Sequence, residues 1–152
     1  MMSLDVLYLD TSFVAPLVLN EATSQSVELF LSKQKPGSLA VSHWTRVEFA
    51  SLIARAVRMK QFDKDTGKTI IAELDALLEE SCQVWSPSAA DFALARDFVT
   101  RFETGLRGAD ALHLAIAKNQ GAEKILTLDE GLLKAAKLLK VSAARGIRWS
   151  DA

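Results

Sequence analysis

The feature that most constrains this chain is a recurrence. A short apolar run rich in β-favouring residues is followed each time by a stretch with helical periodicity. The runs are "VLYLD" (6 to 10), "LAVS" (39 to 42), "CQVWS" (82 to 86) and "KILTL" (124 to 128). They are short for helices and too evenly apolar for a sheet with one wet face. Helical candidates fall between them: "FVAPLVLN" behind Thr11 and Ser12, then 23 to 34, 44 to 60, 63 to 80, 88 to 103 and 108 to 119, and "EGLLKAAKLL" behind Asp129. Strands separated by helical crossovers pair in parallel and are covered on both faces. The expectation is therefore an α/β fold, a three-layer α/β/α domain with a mostly parallel sheet of four to five strands. "KVSAARGIRW" (140 to 149) supplies a weak last strand. No repeat or linker interrupts the pattern, so residues 1 to 152 read as a single domain.

Local signals refine this. Pro16 falls near the first turn of its helix, where a missing N–H does least damage. "TRVE" (45 to 48) matches a capping box with Glu48 in third position. The helix from Trp44 to about Lys60 groups Val47, Ser51, Ala54 and Arg58 on one face, with Phe49, Leu52, Ile53 and Ala56 spread beside it, and the 88 to 103 helix packs through Ala89, Phe92, Ala93 and Ala95. Gly121 stops the 108 to 119 helix.

Composition narrows the function classes. A formal net charge of −1 gives no bulk attraction for a polyanion. Any nucleic acid would be held by local basic patches: Arg46, Arg55, Arg58 and Lys60, then Arg101 and Arg107, then Arg145 and Arg148. Cys82 is the only cysteine, which leaves no disulfide framework and no thiolate zinc site. "MMSLDVLYLD" has no basic leader and its apolar run is far shorter than a membrane span of about 20 residues. A cytoplasmic protein without a membrane partner is expected.

The position of the acids carries the chemistry. Asp10 closes the first strand, Glu48 lies early in the helix after the second, Asp110 opens "LRGADALHLAIA", and Asp129 ends the fourth strand. In a parallel sheet the strand C-termini and the following helix N-termini share one edge, where ligands bind. Three of the acids have an ordinary alternative role: Asp129 as an N-cap, Asp110 as a first-turn acid, Glu48 in its capping box. Asp10 is harder to explain so, because a carboxylate closing an apolar strand is led toward the interior, where an unpaired charge is expensive. The set is harder to explain that way. Two carboxylates about 4 Å apart repel by roughly 1 kcal/mol in water and about 4 kcal/mol at an effective dielectric of 20. A hard divalent ion such as Mg²⁺ or Mn²⁺ cancels that repulsion, prefers oxygen ligands and suits in-line hydrolysis at phosphorus.

The same segments carry a family resemblance. "YLDTSFVAPLV", "TRVEFASLIAR", "LRGADALHLAIA" and "ILTLDEGLLKAA" resemble, in order and spacing, the four motifs of PIN domain nucleases, and most of all VapC-type ribonuclease toxins of toxin-antitoxin pairs. Asp10, Glu48, Asp110 and Asp129 fall on the family's acidic positions, and Thr11, Ser12 and Thr127 on its polar neighbours. The resemblance implies a Mg²⁺-dependent endoribonuclease, with Mn²⁺ as substitute, acting on single-stranded or structured RNA. It also implies a homodimer restrained by a cognate antitoxin. Asp10 and Asp110 are the expected direct metal ligands, with Glu48 and Asp129 completing the acidic pocket through waters or a second ion. Thr11 and Ser12 would orient Asp10 through their hydroxyls.

Three further residues have two readings each. His113 follows Asp110 by one turn and reads first as a satisfied core histidine, with metal or substrate contact as the sharper alternative. Trp44 is a candidate base-stacking surface or a core residue. Arg107 is the candidate phosphate contact or a solvated side chain. The helices at 23 to 34, 44 to 60 and 63 to 80 offer more apolar surface than one small core absorbs, which fits a dimer face and an antitoxin groove. Two other classes stay open. One is a Mg²⁺-dependent phospho-acceptor domain, matched only loosely by Lys124 or Lys134 and lacking a second aspartate at Ser12. The other is a non-catalytic PIN-like protein-binding module.

Overall fold

The computed structural model describes residues 5 to 147. Arg148 and Trp149 of the expected last strand, and both extremes of the 1 to 152 domain, lie outside the described residues.

Five strands form one all-parallel sheet: β1 Leu7–Leu9, β2 Leu39–Ser42, β3 Gln83–Trp85, β4 Lys124–Leu126 and β5 Ala143–Ala144, in the order β3-β2-β1-β4-β5. The register sets Leu7 against both Leu39 and Lys124, and Tyr8 against Ala40 and Ile125. Side chains alternate across a strand, and two cores follow from that alternation. Tyr8, Ala40 and Ile125 pack with α5 (Ala89–Val99), α6 (Gly108–Asn119) and α7 (Glu130–Leu139). Leu9, Leu39, Val41 and Leu126 face the other way, into α1 (Thr11–Val14), α2 (Ser24–Ser32), α3 (His43–Arg58) and α4 (Lys64–Ser81). The result is the expected three-layer α/β/α arrangement. Among the described residues, no helix is long and apolar enough to cross a membrane.

Three local expectations change. "FVAPLVLN" does not form one helix: α1 stops at Val14 and residues Ala15–Leu17 tighten into a 3₁₀ turn around Pro16. The capping box sits three residues earlier than "TRVE" implies. Ser42 and Thr45 form it, and Ser42 N–H donates to Thr45 Oγ1 at 3.2 Å, which leaves Glu48 out of the cap. The buried stripe of α3 is Thr45 with Phe49, Ile53 and Ala56 of the set expected beside the Val47 face, and Val47 itself is 57% exposed. On α5 the buried residues are Asp91, Ala95 and Phe98, while Phe92 stands in solvent.

Gly67, in the first turns of α4, is buried where that helix meets α3. A Cβ there would lie 2.8 Å from Val57 Cγ2 and 3.4 Å from Ile53 Cγ2. Replacing a helical glycine ordinarily gains up to about 1 kcal/mol. Here the sign reverses: Gly67→Val is expected to lower stability by about 1 to 3 kcal/mol through overpacking, read as a lower urea midpoint at unchanged m-value.

Candidate active site

The strand order reverses direction between β1 and β4, and in open parallel sheets the crevice at such a point receives ligands. Asp10 stands just after β1, and Thr127 and Asp129 just after β4. Asp10 is 3% exposed. Its backbone is extended (φ −80°, ψ 174°) and its side chain caps α1, Oδ1 accepting from Phe13 N–H. Ser12 Oγ donates to Oδ1 at 2.7 Å and Thr127 Oγ1 to Oδ2 at 2.9 Å. Ser12 Oγ in turn accepts Leu128 N–H at 2.9 Å, so one small cluster ties the ends of β1 and β4 together. Burial raises the Asp10 pKa, although the nearby His113 charge, the two hydroxyls and the Phe13 N–H all favour its anion.

Glu48 enters from the second turn of α3. Its Oε1 accepts from Thr11 Oγ1 and, at 2.7 Å, from His113 Nε2. Burial pushes its pKa upward, but the His113 hydrogen bond and charge and the Thr11 hydroxyl outweigh that and hold it below the ordinary value. Asp129 caps α7, with Oδ1 accepting Gly131 N–H at 2.8 Å and Leu132 N–H at 3.2 Å. It is therefore the N-cap that its position implies and a wall of the cleft as well.

Asp110 differs from the other three. It sits half-buried in the first turn of α6 and has no hydrogen-bond partner among the described residues. Its pKa is raised to about 6, first by burial and then by the charges of Asp129, Glu48 and Asp10. All four acids line a single open cleft of about 430 Å³, together with Thr11, Ser12, Ser51, Arg55 and Arg58. Carboxylate and hydroxyl oxygens under mutual repulsion fit a hard divalent cation. Among the described residues no three acidic or imidazole groups already converge as a closed ligand set.

The other expected residues are distributed differently. Thr11 serves Glu48 rather than Asp10, because as the first residue of α1 it turns toward α3. Arg107 is the exposed N-cap of α6 and lies outside the cleft lining. Trp44 is also outside it: its indole N–H donates to Ala109 O at 3.2 Å and the ring packs on the α5 and α6 side. Among the described residues, the arginines that reach the cleft are Arg55 and Arg58. The spacing holds their signal. Ser51, Leu52 and Arg55 follow Glu48 at i+3, i+4 and i+7, one stripe of a helix. His113 is fully buried yet bonded to Glu48.

The PIN domain family model matches residues 7–138, and the chain belongs to that family. No curated protein sequence matches it significantly. Among solved structures, Mycobacterium tuberculosis VapC20, described as a sarcin-ricin-loop-cleaving toxin, is similar with a TM-score of 0.69 at 20% identity, covering 85% of this chain and 94% of that one. FitAcB from Neisseria gonorrhoeae gives 0.66 at 19% identity over 93% and 98% of the two chains. VapBC-1 from nontypeable Haemophilus influenzae gives 0.67 at 14% identity, also over 93% and 98%.

Because its pKa is raised, Asp110 binds a proton more tightly in the folded chain than in the unfolded one. Its stabilising contribution is complete below about pH 4 and is lost as pH climbs through about 6. Asp110→Asn removes that loss. At pH 8 without metal the variant is expected to melt above the parent by about 2 to 4 °C, roughly 1 kcal/mol after allowance for solvent screening. The difference should vanish near pH 4. A variant that melts lower at pH 8 would reduce Asp110 to a helix-terminus acid.

Proposed function

We propose that this protein is a Mg²⁺-dependent endoribonuclease, with Mn²⁺ as substitute, that hydrolyses single-stranded or structured RNA as the cytoplasmic toxin of a toxin-antitoxin pair. The observation that carries the reading is the Asp110 carboxylate, half-buried and without a hydrogen-bond partner among the described residues, in a cleft it shares with three further acids. Membership of the PIN family and the fold likeness to VapC20 support it.

In this reading Asp10 and Asp110 hold the ion directly, and Glu48 and Asp129 complete the pocket through waters or a second ion. A bound divalent ion supplies positive charge that makes water a better nucleophile and stabilises developing negative charge at phosphorus. The chain's own part is positional. Ser12 and Thr127 fix both oxygens of Asp10, Thr11 fixes Glu48, and the α7 N-terminus fixes Asp129. Mounting these groups on strand ends and helices holds them more precisely than loops would. Arg55 and Arg58, on the cleft wall, take the phosphate-binding role expected of Arg107.

RNA cleavage should stop in EDTA and return with Mg²⁺ or Mn²⁺, and Asp10→Asn should cut at least a hundredfold more slowly, about 2.7 kcal/mol of barrier. Activity that survives EDTA, or that only Zn²⁺ restores, overturns the proposal. A folded protein without metal-dependent cleavage would instead be a binding module. Replacing Arg55 and Arg58 by alanine should raise KM and flatten the salt dependence of RNA binding by about 0.7 log units per decade of salt for each phosphate no longer neutralised.

Exposed apolar residues bear on partners. Leu29, Val47, Met59 and Leu77 stand exposed on α2, α3 and α4 and at the end of α3. These side chains support a homodimer and a docking site for an antitoxin helix, and the likeness to VapBC-1 and FitAcB supports the antitoxin. Sedimentation is expected to give a dimer at micromolar concentration. A strict monomer that also fails to bind the product of an adjacent small gene would overturn this part.

A further inference from the structure

A buried polar chain runs behind the cleft. His113, on α6, is fully shielded from solvent and joins β1 to α3 through its two ring nitrogens. Its Nδ1 lies 2.8 Å from Tyr8 OH on β1, and its Nε2 lies 2.7 Å from Glu48 Oε1 on α3. Tyr8 OH also lies 2.9 Å from Ser42 Oγ at the end of β2. Burial raises the Tyr8 pKa, so the phenol remains a neutral O–H. Thr11 Oγ1 stands 3.3 Å from the same Nε2. Two features give this chain a direction. A carboxylate only accepts, so Nε2 carries a hydrogen and donates to Glu48. Both protein contacts of Glu48 use Oε1, and Oε2 accepts nothing from any described residue.

The geometry points to His113 as a positioning residue: held by Tyr8 on one side, it grips Glu48 Oε1 on the other and so turns the free Oε2 into the cleft. This deepens the nuclease reading and rests on it. Glutamate has three rotatable side-chain bonds, and in mid-helix its carboxylate would otherwise sample several rotamers. Thr11 alone supplies one donor. With the imidazole added, Oε1 is pinned from the β1 end and from α6, and one orientation remains. Tyr8 matters because it fixes the ring: an imidazole bonded through both nitrogens cannot flip without breaking both bonds. His113 does not line the cleft, so it acts only through Glu48.

The test compares two substitutions of similar polarity in the full-length protein. The amide nitrogen of glutamine falls near Nε2 of histidine, and that of asparagine near Nδ1. His113→Gln therefore keeps a donor for Glu48, whereas His113→Asn keeps a partner for Tyr8 and loses Glu48. Mn²⁺ affinity is measured by electron paramagnetic resonance of the free ion, and RNA cleavage is followed in parallel, with circular dichroism and melting to establish folding. The Asn variant is expected to bind Mn²⁺ at least tenfold more weakly and to lose 10- to 100-fold in kcat with KM within about twofold, as loss of a group supporting a ligand typically does. The Gln variant should stay within about threefold of the parent in both. Equal losses in two folded variants, or an unaltered Asn variant, overturn the assignment. A parent that binds Mn²⁺ but cuts no RNA refutes the nuclease reading, while the Mn²⁺ comparison still decides His113. If His113→Asn does not fold, His113→Phe and Glu48→Gln replace it. Mn²⁺ binding by either one equal to that of the parent overturns the assignment.

Discussion

A buried carboxylate at the end of a central strand is the constraint around which this molecule is arranged. An unpaired charge at the position of Asp10 would cost several kcal/mol. The chain meets that cost with two hydroxyls and a backbone N–H, and those donors come from α1 and from the turn after β4. Satisfying one charge thus joins residues 10 and 127, and through Ser12 it also engages Leu128. The pairing of β1 with β4 brings these strand ends together, and the side-chain hydrogen bonds around Asp10 link them at the cleft. Asp110 shows the opposite solution. It is left without a hydrogen-bond partner among the described residues, and burial together with the charges of Asp129, Glu48 and Asp10 raises its pKa.

The strands, α6 and α7 are legible in the sequence because each is punctuated. β2 is bounded as its apolar run is, α6 stops just ahead of Gly121, and α7 starts behind Asp129. Sequence and structure part where two local signals compete. Pro16 suits a first turn in an α-helix but equally ends a four-residue one, and the second effect prevails. "TRVE" is a sound capping pattern, yet Ser42 at the end of β2 offers an earlier cap in extended geometry, and the helix starts there. Composition alone places Phe92 inward, whereas α5 is oriented by Asp91, whose carboxylate accepts from Asn119 and Gln120 at 2.9 Å each.

The four acids can be located from sequence because parallel topology gathers strand ends on one edge. The groups that hold them cannot. Tyr8 and His113 are 105 residues apart, and neither has a local signal that names the other. Arg107 is near Asp110 along the chain, but it stands exposed at the N-cap of α6 and outside the cleft. Arg55 is seven residues from Glu48 and faces the same cleft. Helical phase, rather than distance along the chain, is the better guide. His113 also shows that a buried, hydrogen-bonded core histidine can still touch the cleft, since its partner Glu48 is one of the cleft acids.

The strand order has a temporal consequence. β1 lies at the centre of the sheet and is the first strand to be synthesised, while its neighbour β4 begins at Lys124. Until that segment emerges, one edge of the central strand has no partner and Asp10 lacks Thr127. Non-local pairing of this kind forms late, and domains fold from the N-terminal side as synthesis proceeds. A nascent chain therefore carries Asp10, Glu48 and even Asp110 without carrying the cleft, because the strand beside which they gather is made after all three. The organism making this protein does not meet its finished surface until the segment that carries β4 has been translated.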